Sequence, residues 1–403
     1  MNSESLESAL DPQGPSKIWT KMFISLFFTN LAFNLGLAMS NSLLSVYVDS
    51  LGASPFAIGM VMGTFTISSV LLRLISAPIM DTYNRKYIVV FAALLLAVAF
   101  YGFSISRTIP ALLGFRLVQG AGMAFGNACC LAMVSEAVPK DKYSSGIGYY
   151  SLAQTICQAI GPSVGLQLIG WIGFSATFTF NAVTMLVSAF LALQLKTEFK
   201  QTKKLKLTFN SIIAMEAVLP AIIIFALSMG NSAVNSFLII FAGQRGVSAN
   251  IGLYFTTTAG MMLLSRPLVG RLTDRFGTVK VLIPALFCNV LSYFIISASS
   301  TLWGFLIAAF ISAFGQGACQ PVIMALSMKV VPNDRRGAAI STNYIGMDLG
   351  ALAGPVLAGN IAQAVGYAPM WRIMSFPFFI GMALILMFRS AVANIEKKFA
   401  LEK

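Results

Sequence analysis

Six long apolar runs, one basic stretch and six more apolar runs leave this chain few ways to fold. The first six lie near residues 20–48, 55–80, 87–106, 110–135, 146–169 and 174–195. The basic stretch is KTEFKQTKKLKLTFN, residues 196–210. The second six lie near 217–242, 250–273, 279–299, 301–328, 338–361 and 371–390. A helix needs about 20 apolar residues to cross a hydrocarbon core, so each run is long enough for one span. In lipid an open sheet or coil leaves backbone groups unpaired at several kcal/mol each, so the runs must be helices. Composition agrees: 57% of the 403 residues are hydrophobic and 10% are charged, against about 25% charged in a soluble domain. The expected fold class is an all-α membrane protein with 12 transmembrane helices.

Charge sets an expected orientation. With the N-terminus cytoplasmic and the chain alternating sides, all but four of the 27 Lys and Arg residues fall on the cytoplasmic side. The exceptions are Arg107, Arg245 and Arg372 at outer ends and Arg116 inside a span. That is the positive-inside bias, and it accounts for the net charge of +13 without nucleic acid as a partner. The domain reading is a cytoplasmic tail (1–16), a six-helix bundle (17–195), the cytoplasmic linker (196–210), a second bundle (211–390) and a cytoplasmic tail (391–403). Residues 1–15 are polar and carry Glu4, Glu7 and Asp11, unlike a cleaved signal, so the first run reads as a retained span.

The two halves repeat. A shift of 193 residues aligns Gly59 with Gly252, Arg73 with Arg266, Asp81 with Asp274, Gly122 with Gly315, Pro139 with Pro332 and Asp141 with Asp334. It also aligns Gly161-Pro162 with Gly354-Pro355 and Gly173 with Gly366. An even number of spans per unit makes the repeats parallel, and solute sites in such proteins lie between the halves near the midplane.

At these residues the chain resembles the major facilitator superfamily over essentially its whole length. The family's signature between helices 2 and 3, roughly GxLaDrxGrkxxl, appears as GRLTDRFGTVKVL (270–282) and, degraded, as APIMDTYNRKYIV (77–89), where Asp81, Arg85 and Lys86 survive. The helix 4 signature RxxqGxga appears as RLVQGAGMA (116–124). The helix 5 pattern GxxxGPxxGG of the drug and solute exporter branch is partly kept in QAIGPSVGL (158–166), through Gly161, Pro162 and Gly165. The resemblance implies a secondary transporter working by alternating access. Many proton-coupled exporters of this family carry an acid within helix 1; here that helix offers only amides before Asp49.

Site residues follow from chemistry and resemblance together. Asp81 and Asp274, beside Arg85, Lys86 and Arg275, stand at cytoplasmic helix ends, where a carboxylate can accept amide bonds and pair with Arg across the bundle. They are the expected gate, with Gly161-Pro162 and Gly354-Pro355 as points of close approach and kinking. Asn30, Asn34 and Asn41 fall within about 40° of one another on helix 1. Helix 4 groups Arg116, Gln119 and Asn127, helix 7 has Asn231 and Asn235, and helix 10 has Gln316 and Gln320. Amides facing lipid are costly, so these face the interior. Helices 1, 4, 7 and 10 line the central cavity in the resembled family, which makes the amides the expected solute site. Asp348, mid-helix 11, is the expected proton carrier, with Arg116 as a partner able to move its charge balance.

The function expected is proton-coupled export of a small organic compound, drug-like or metal-chelating; the alternative is an uptake carrier or facilitator for a metabolite. The partners expected are the solute, protons and lipid, with the chain a monomer in a cell membrane, the bacterial inner membrane. With no histidine, no Gly-rich nucleotide loop, no HExxH and no CxxC among its five cysteines, the chain is expected to be no enzyme and to carry no metal or cofactor. A membrane-impermeant thiol reagent added to intact cells should label Gly52→Cys and leave Lys203→Cys unmodified; labelling of the linker position from outside would reverse the orientation.

Overall fold

The computed structural model describes residues 18–139, 143–195, 214–247, 250–332 and 335–394. The expected tail 1–16, the linker 196–210, Asp141 and Asp334 lie outside the described residues, as do the side chains of Asp81 and Asn127. Among the described residues there is no strand.

Twelve spans follow in order. In the first half these are α1 (Lys21–Ser50), α2 (Pro55–Thr82), α3 (Arg85–Ile105) and α4 (Ile109–Ala137). The long run Tyr143–Leu193 breaks at Gly173 (φ 77°, ψ 173°) into α5, residues 143–172, and α6, residues 174–193. After a short 3₁₀ turn at Met215–Ala217 come α7 (Val218–Gln244), α8 (Leu253–Phe276), α9 (Thr278–Ala298), α10 (Leu302–Lys329) and α11 (Arg336–Val365). The last, α12 (Tyr367–Met387), is interrupted near Met374 and Ser375.

Local chemistry sets several ends. Thr20 and Ser54 cap α1 and α2 by accepting from Phe23 N (3.2 Å) and Ala57 N (3.3 Å), and Pro55 fits the first turn because its missing N–H would be unpaired there anyway. Gly173 and its repeat mate Gly366 (φ 83°) both turn the chain between spans with a backbone that L side chains rarely adopt. Along α8 hydropathy is weakest: Arg266, Arg271, Asp274 and Arg275 all lie on it, so it falls outside the ten helical stretches that are long and apolar enough to cross a membrane on composition alone. Its charges lie toward its second half, where Arg266 lines the central cavity and Arg271, Asp274 and Arg275 stand in the last two turns.

Packing divides the spans into two groups. In the first half α1 and α3 lie against the Tyr143–Leu193 run, α3 against α4 and α2 against α4. In the second, α7 lies against α11, α9 against α10 and α12, and α8 against α10. Outward-facing side chains such as Phe91, Val98, Phe190 and Leu264 are exposed and apolar, as a lipid-facing surface requires. Between the halves α2 meets α11 and α5 meets α8.

These crossings are closest at one end. A Cβ on Gly59 would stand 2.2 Å from the Pro355 carbonyl oxygen, and one on Gly359 would stand 2.4 Å from that of Pro55. At the pseudo-equivalent crossing, a Cβ on Gly252 would stand 2.7 Å from Ser163 Cα, and Thr256 Oγ1 donates to Ala159 O at 2.7 Å. Small residues let backbones touch where no hydrophobic force joins helices in lipid. Gly59→Val should therefore part α2 from α11 and destabilise the protein by about 1–3 kcal/mol. Gly114→Val, where a Cβ meets nothing within 4 Å, should leave the melting temperature in detergent unchanged.

Candidate functional site: a polar cavity between the halves

A cavity of about 440 Å³ lies between the two groups of helices. Helix α1 gives it Asn41 and Ser42; α5 gives Ser151, Gln154, Thr155, Gln158 and Pro162; α7 gives Asn231 and Asn235. From α8 come Tyr254, Thr258, Met262 and Arg266, and from α10 come Gln316 and Gln320. A side hollow of about 90 Å³ shares Asn231, Gln316 and Gln320 and reaches Met347 of α11. The wall is thus a ring of amides and hydroxyls with one guanidinium, suited to hydrogen-bonding a small polar solute.

Five of the expected amides, Asn41, Asn231, Asn235, Gln316 and Gln320, line this cavity. Asn30 and Asn34 do not. Asn30 donates to Tyr150 O at 3.2 Å, and Asn34 donates to Asn30 O and Oδ1 at 2.9 and 2.7 Å. Both are buried: Asn30 bonds α1 to α5, and Asn34 bonds back to the preceding turn of its own helix. Gln119 also sits away from the cavity wall. The backbone of Asn127 is helical.

Arg116 corrects a second expectation: it is no partner of Asp348. Its side chain is fully buried among α1, α2 and α4. Nε donates to Val61 O at 3.0 Å, one terminal nitrogen to Gln119 Oε1 at 2.6 Å and Asn41 Oδ1 at 3.1 Å, and the other to Met62 O at 3.1 Å. Gln119 Nε2 also donates to Asn41 Oδ1 at 3.2 Å, and the Phe65 ring lies 4.9 Å from the guanidinium carbon. Neutral dipoles surround this cation, and Asn41 joins the knot to the cavity wall.

Asp348 instead pairs with Arg73, so its bond runs from α11 to α2 across the two halves. The Tyr344 ring lies 5.8 Å from the same guanidinium. Arg73 and its repeat mate Arg266 also correct the charge reading, because both stand more than two turns inside their helices rather than at a cytoplasmic end. Arg266 points into the cavity. Sequence reasoning marked it only as half of a repeat pair, and it passed over Gln154 and Gln158, whose four-residue spacing puts both on one helix face.

At the expected gate, Asp274 lies in the last turn of α8, exposed and without an ion pair among the described residues. Arg275 lies over its neighbour Phe276 at 5.2 Å, and Lys86 over Tyr87 at 5.8 Å. Arg85 opens α3 behind Asn84, whose side chain accepts from Lys86 N at 3.0 Å. Gly161 seats α5 on α1, where a Cβ would stand 2.6 Å from that of Ala38. Gly354 does the same for α11 on α7, with the Met229 carbonyl oxygen 2.2 Å from the Cβ position. Pro162 faces the cavity, and Pro355 presents its carbonyl to Gly59.

Known proteins share this organisation. The multi-drug resistance efflux pump PmrA of Streptococcus pneumoniae is 24% identical over 85% of this chain and 89% of its own. The multidrug resistance protein MdtG of Citrobacter koseri is 25% identical over 88% and 90%. Among solved structures, the bacterial homolog of the human lysosomal transporter Spinster superposes with a TM-score of 0.78 at 14% identity, covering 93% of this chain and 97% of that one. The sequence model of the Major Facilitator Superfamily matches residues 26–248 and 220–402. With its twelve spans, parallel repeats and central cavity, this chain is a transporter of that kind, not an enzyme, and it belongs to the Major Facilitator Superfamily.

Proposed function

We propose that the chain is a proton-coupled exporter of a small organic compound, drug-like or metal-chelating, and that the Asp348–Arg73 pair ties protonation to the facing state. The observation that carries this reading is that the pair bridges α11 and α2, one from each half. An ionised Asp348 holds the halves together at this crossing. A proton on Asp348 removes the carboxylate charge from this pair, so the pair secures one arrangement of the halves only while Asp348 is ionised. The side hollow supports a link to the solute, since it runs from the amides to Met347, the residue before Asp348.

With the N-terminus cytoplasmic, the glycine-packed end is the outer one, and the cavity then faces the cytoplasm, the loading side for export. The exposed Asp274 supports that assignment, because a latch at the cytoplasmic end is released when that end opens. Relatives named for multidrug efflux support the outward direction. The site reading assigns solute contact to the five cavity amides, gating to Asp81 and Asp274 with their basic neighbours, and a structural role to Arg116.

In proteoliposomes Asp348→Asn should abolish solute accumulation driven by a pH gradient and keep downhill exchange of solute. Full pH-driven accumulation in that variant would return the pair to a purely structural role, whereas no pH-driven accumulation by the unaltered protein would favour a facilitator. Asp274→Asn should slow transport several-fold and leave solute affinity unchanged, as measured by equilibrium binding, because the residue stands far from the cavity amides.

A further inference from the structure

The two crossings between the halves are pseudo-equivalent, yet their charges are not. Across α2 and α11, Arg73 has Asp348 as its counter-ion and the Tyr344 ring beside it. Applying the repeat shift gives the crossing of α8 and α5. There Arg266 stands for Arg73, Thr155 for Asp348 and Ser151 for Tyr344. All three line the cavity. The second crossing has kept the cation, lost the anion and opened into the cavity.

Arg266 is exposed within that cavity and makes no ion pair among the described residues. The lining contains no Asp and no Glu. A cation enclosed by protein acts through a lower dielectric than bulk water, which strengthens its pull on an anion and its push on another cation. Its planar fork fits the two oxygens of a carboxylate or the oxygens of a phosphate. Gln154 and Gln158, one turn apart on the facing α5, can hydrogen-bond the neutral polar remainder.

We propose that the cavity is built for a small organic anion, and that Arg266 receives its carboxylate or phosphate group where the other crossing supplies Asp348 from the chain itself. This deepens the transport reading, resting on the cavity being the solute site. It also divides the roles of the two repeats, because one crossing carries an internal ion pair and the other completes its pair with the cargo.

The test measures charge selectivity in the full-length protein without requiring transport. Thr155→Cys places a thiol on the cavity wall at the repeat equivalent of Asp348, and Ser151→Cys places a second one a turn away. Each is reacted with two methanethiosulfonate reagents that differ in charge, the ethylsulfonate anion and the ethyltrimethylammonium cation. The same protein without the added thiol supplies the blank for the native cysteines. The ratio of anionic to cationic labelling rates should fall about tenfold or more when Arg266→Gln is added, and should be retained with Arg266→Lys. An unchanged ratio would overturn the proposal, as would absence of labelling at both positions by either reagent. No proton gradient enters the measurement, so failure of proton coupling and failure of anion selectivity give different results.

Discussion

A charge inside hydrocarbon costs several kcal/mol unless it is paired, wetted or surrounded by dipoles, and three arginines of this chain meet that demand in three ways. Arg73 is paired with Asp348. Arg266 opens onto the cavity. Arg116 is enclosed by the carbonyls of Val61 and Met62 and the amides of Asn41 and Gln119. The pair and the enclosure draw on residues of other helices, and the cavity is walled by several. The arginines therefore constrain how α1, α2, α4, α8 and α11 are arranged, and helices that carry charge can remain in the membrane only as part of the bundle.

The same requirement explains where polarity goes. Lipid-facing positions carry Phe, Leu and Val, so amides and hydroxyls collect between helices or around the cavity. Those buried in the packing find fixed partners, Asn30 on the neighbouring helix and Asn34 on its own. Those around the cavity keep free hydrogen-bonding capacity that a solute can use. Glycines complete the arrangement at the opposite end, where Gly59 and Gly359 bring α2 and α11 into backbone contact. One end of the interface is thus held by close packing, while the centre is polar and open, which is the arrangement a rocking mechanism requires.

Pseudo-symmetry gives the molecule two versions of each crossing, and the differences between the versions carry the specific chemistry. Gly59 and Gly252 do similar work at the two closed crossings. Arg73 and Arg266 do not, because Asp348 and Thr155 differ. A repeat that is symmetric in its packing residues and asymmetric in its charges can hold a constant scaffold while assigning one face to a protein ion pair and the other to a ligand.

Much of this was legible in the sequence. Apolar run length determined the spans, because lipid leaves the backbone no alternative to the helix. The 193-residue shift paired Gly173 with Gly366, and the structure makes both of them turns between spans. Five of the nine candidate amides line the cavity, in keeping with the rule that amides on long apolar helices face inward. Which inward surface each one faces was not legible: on α1 Asn34 and Asn41 share a helix face, yet one bonds within the helix packing and the other reaches the cavity. The pairing of Asp348 with Arg73, 275 positions away, and the withdrawal of Arg116 into its knot were likewise settled by how the helices cross. Helical periodicity sets the direction of a side chain from its own axis; only the packing of the other helices decides whether that direction ends in a neighbour, in an ion pair or in a space large enough for a solute.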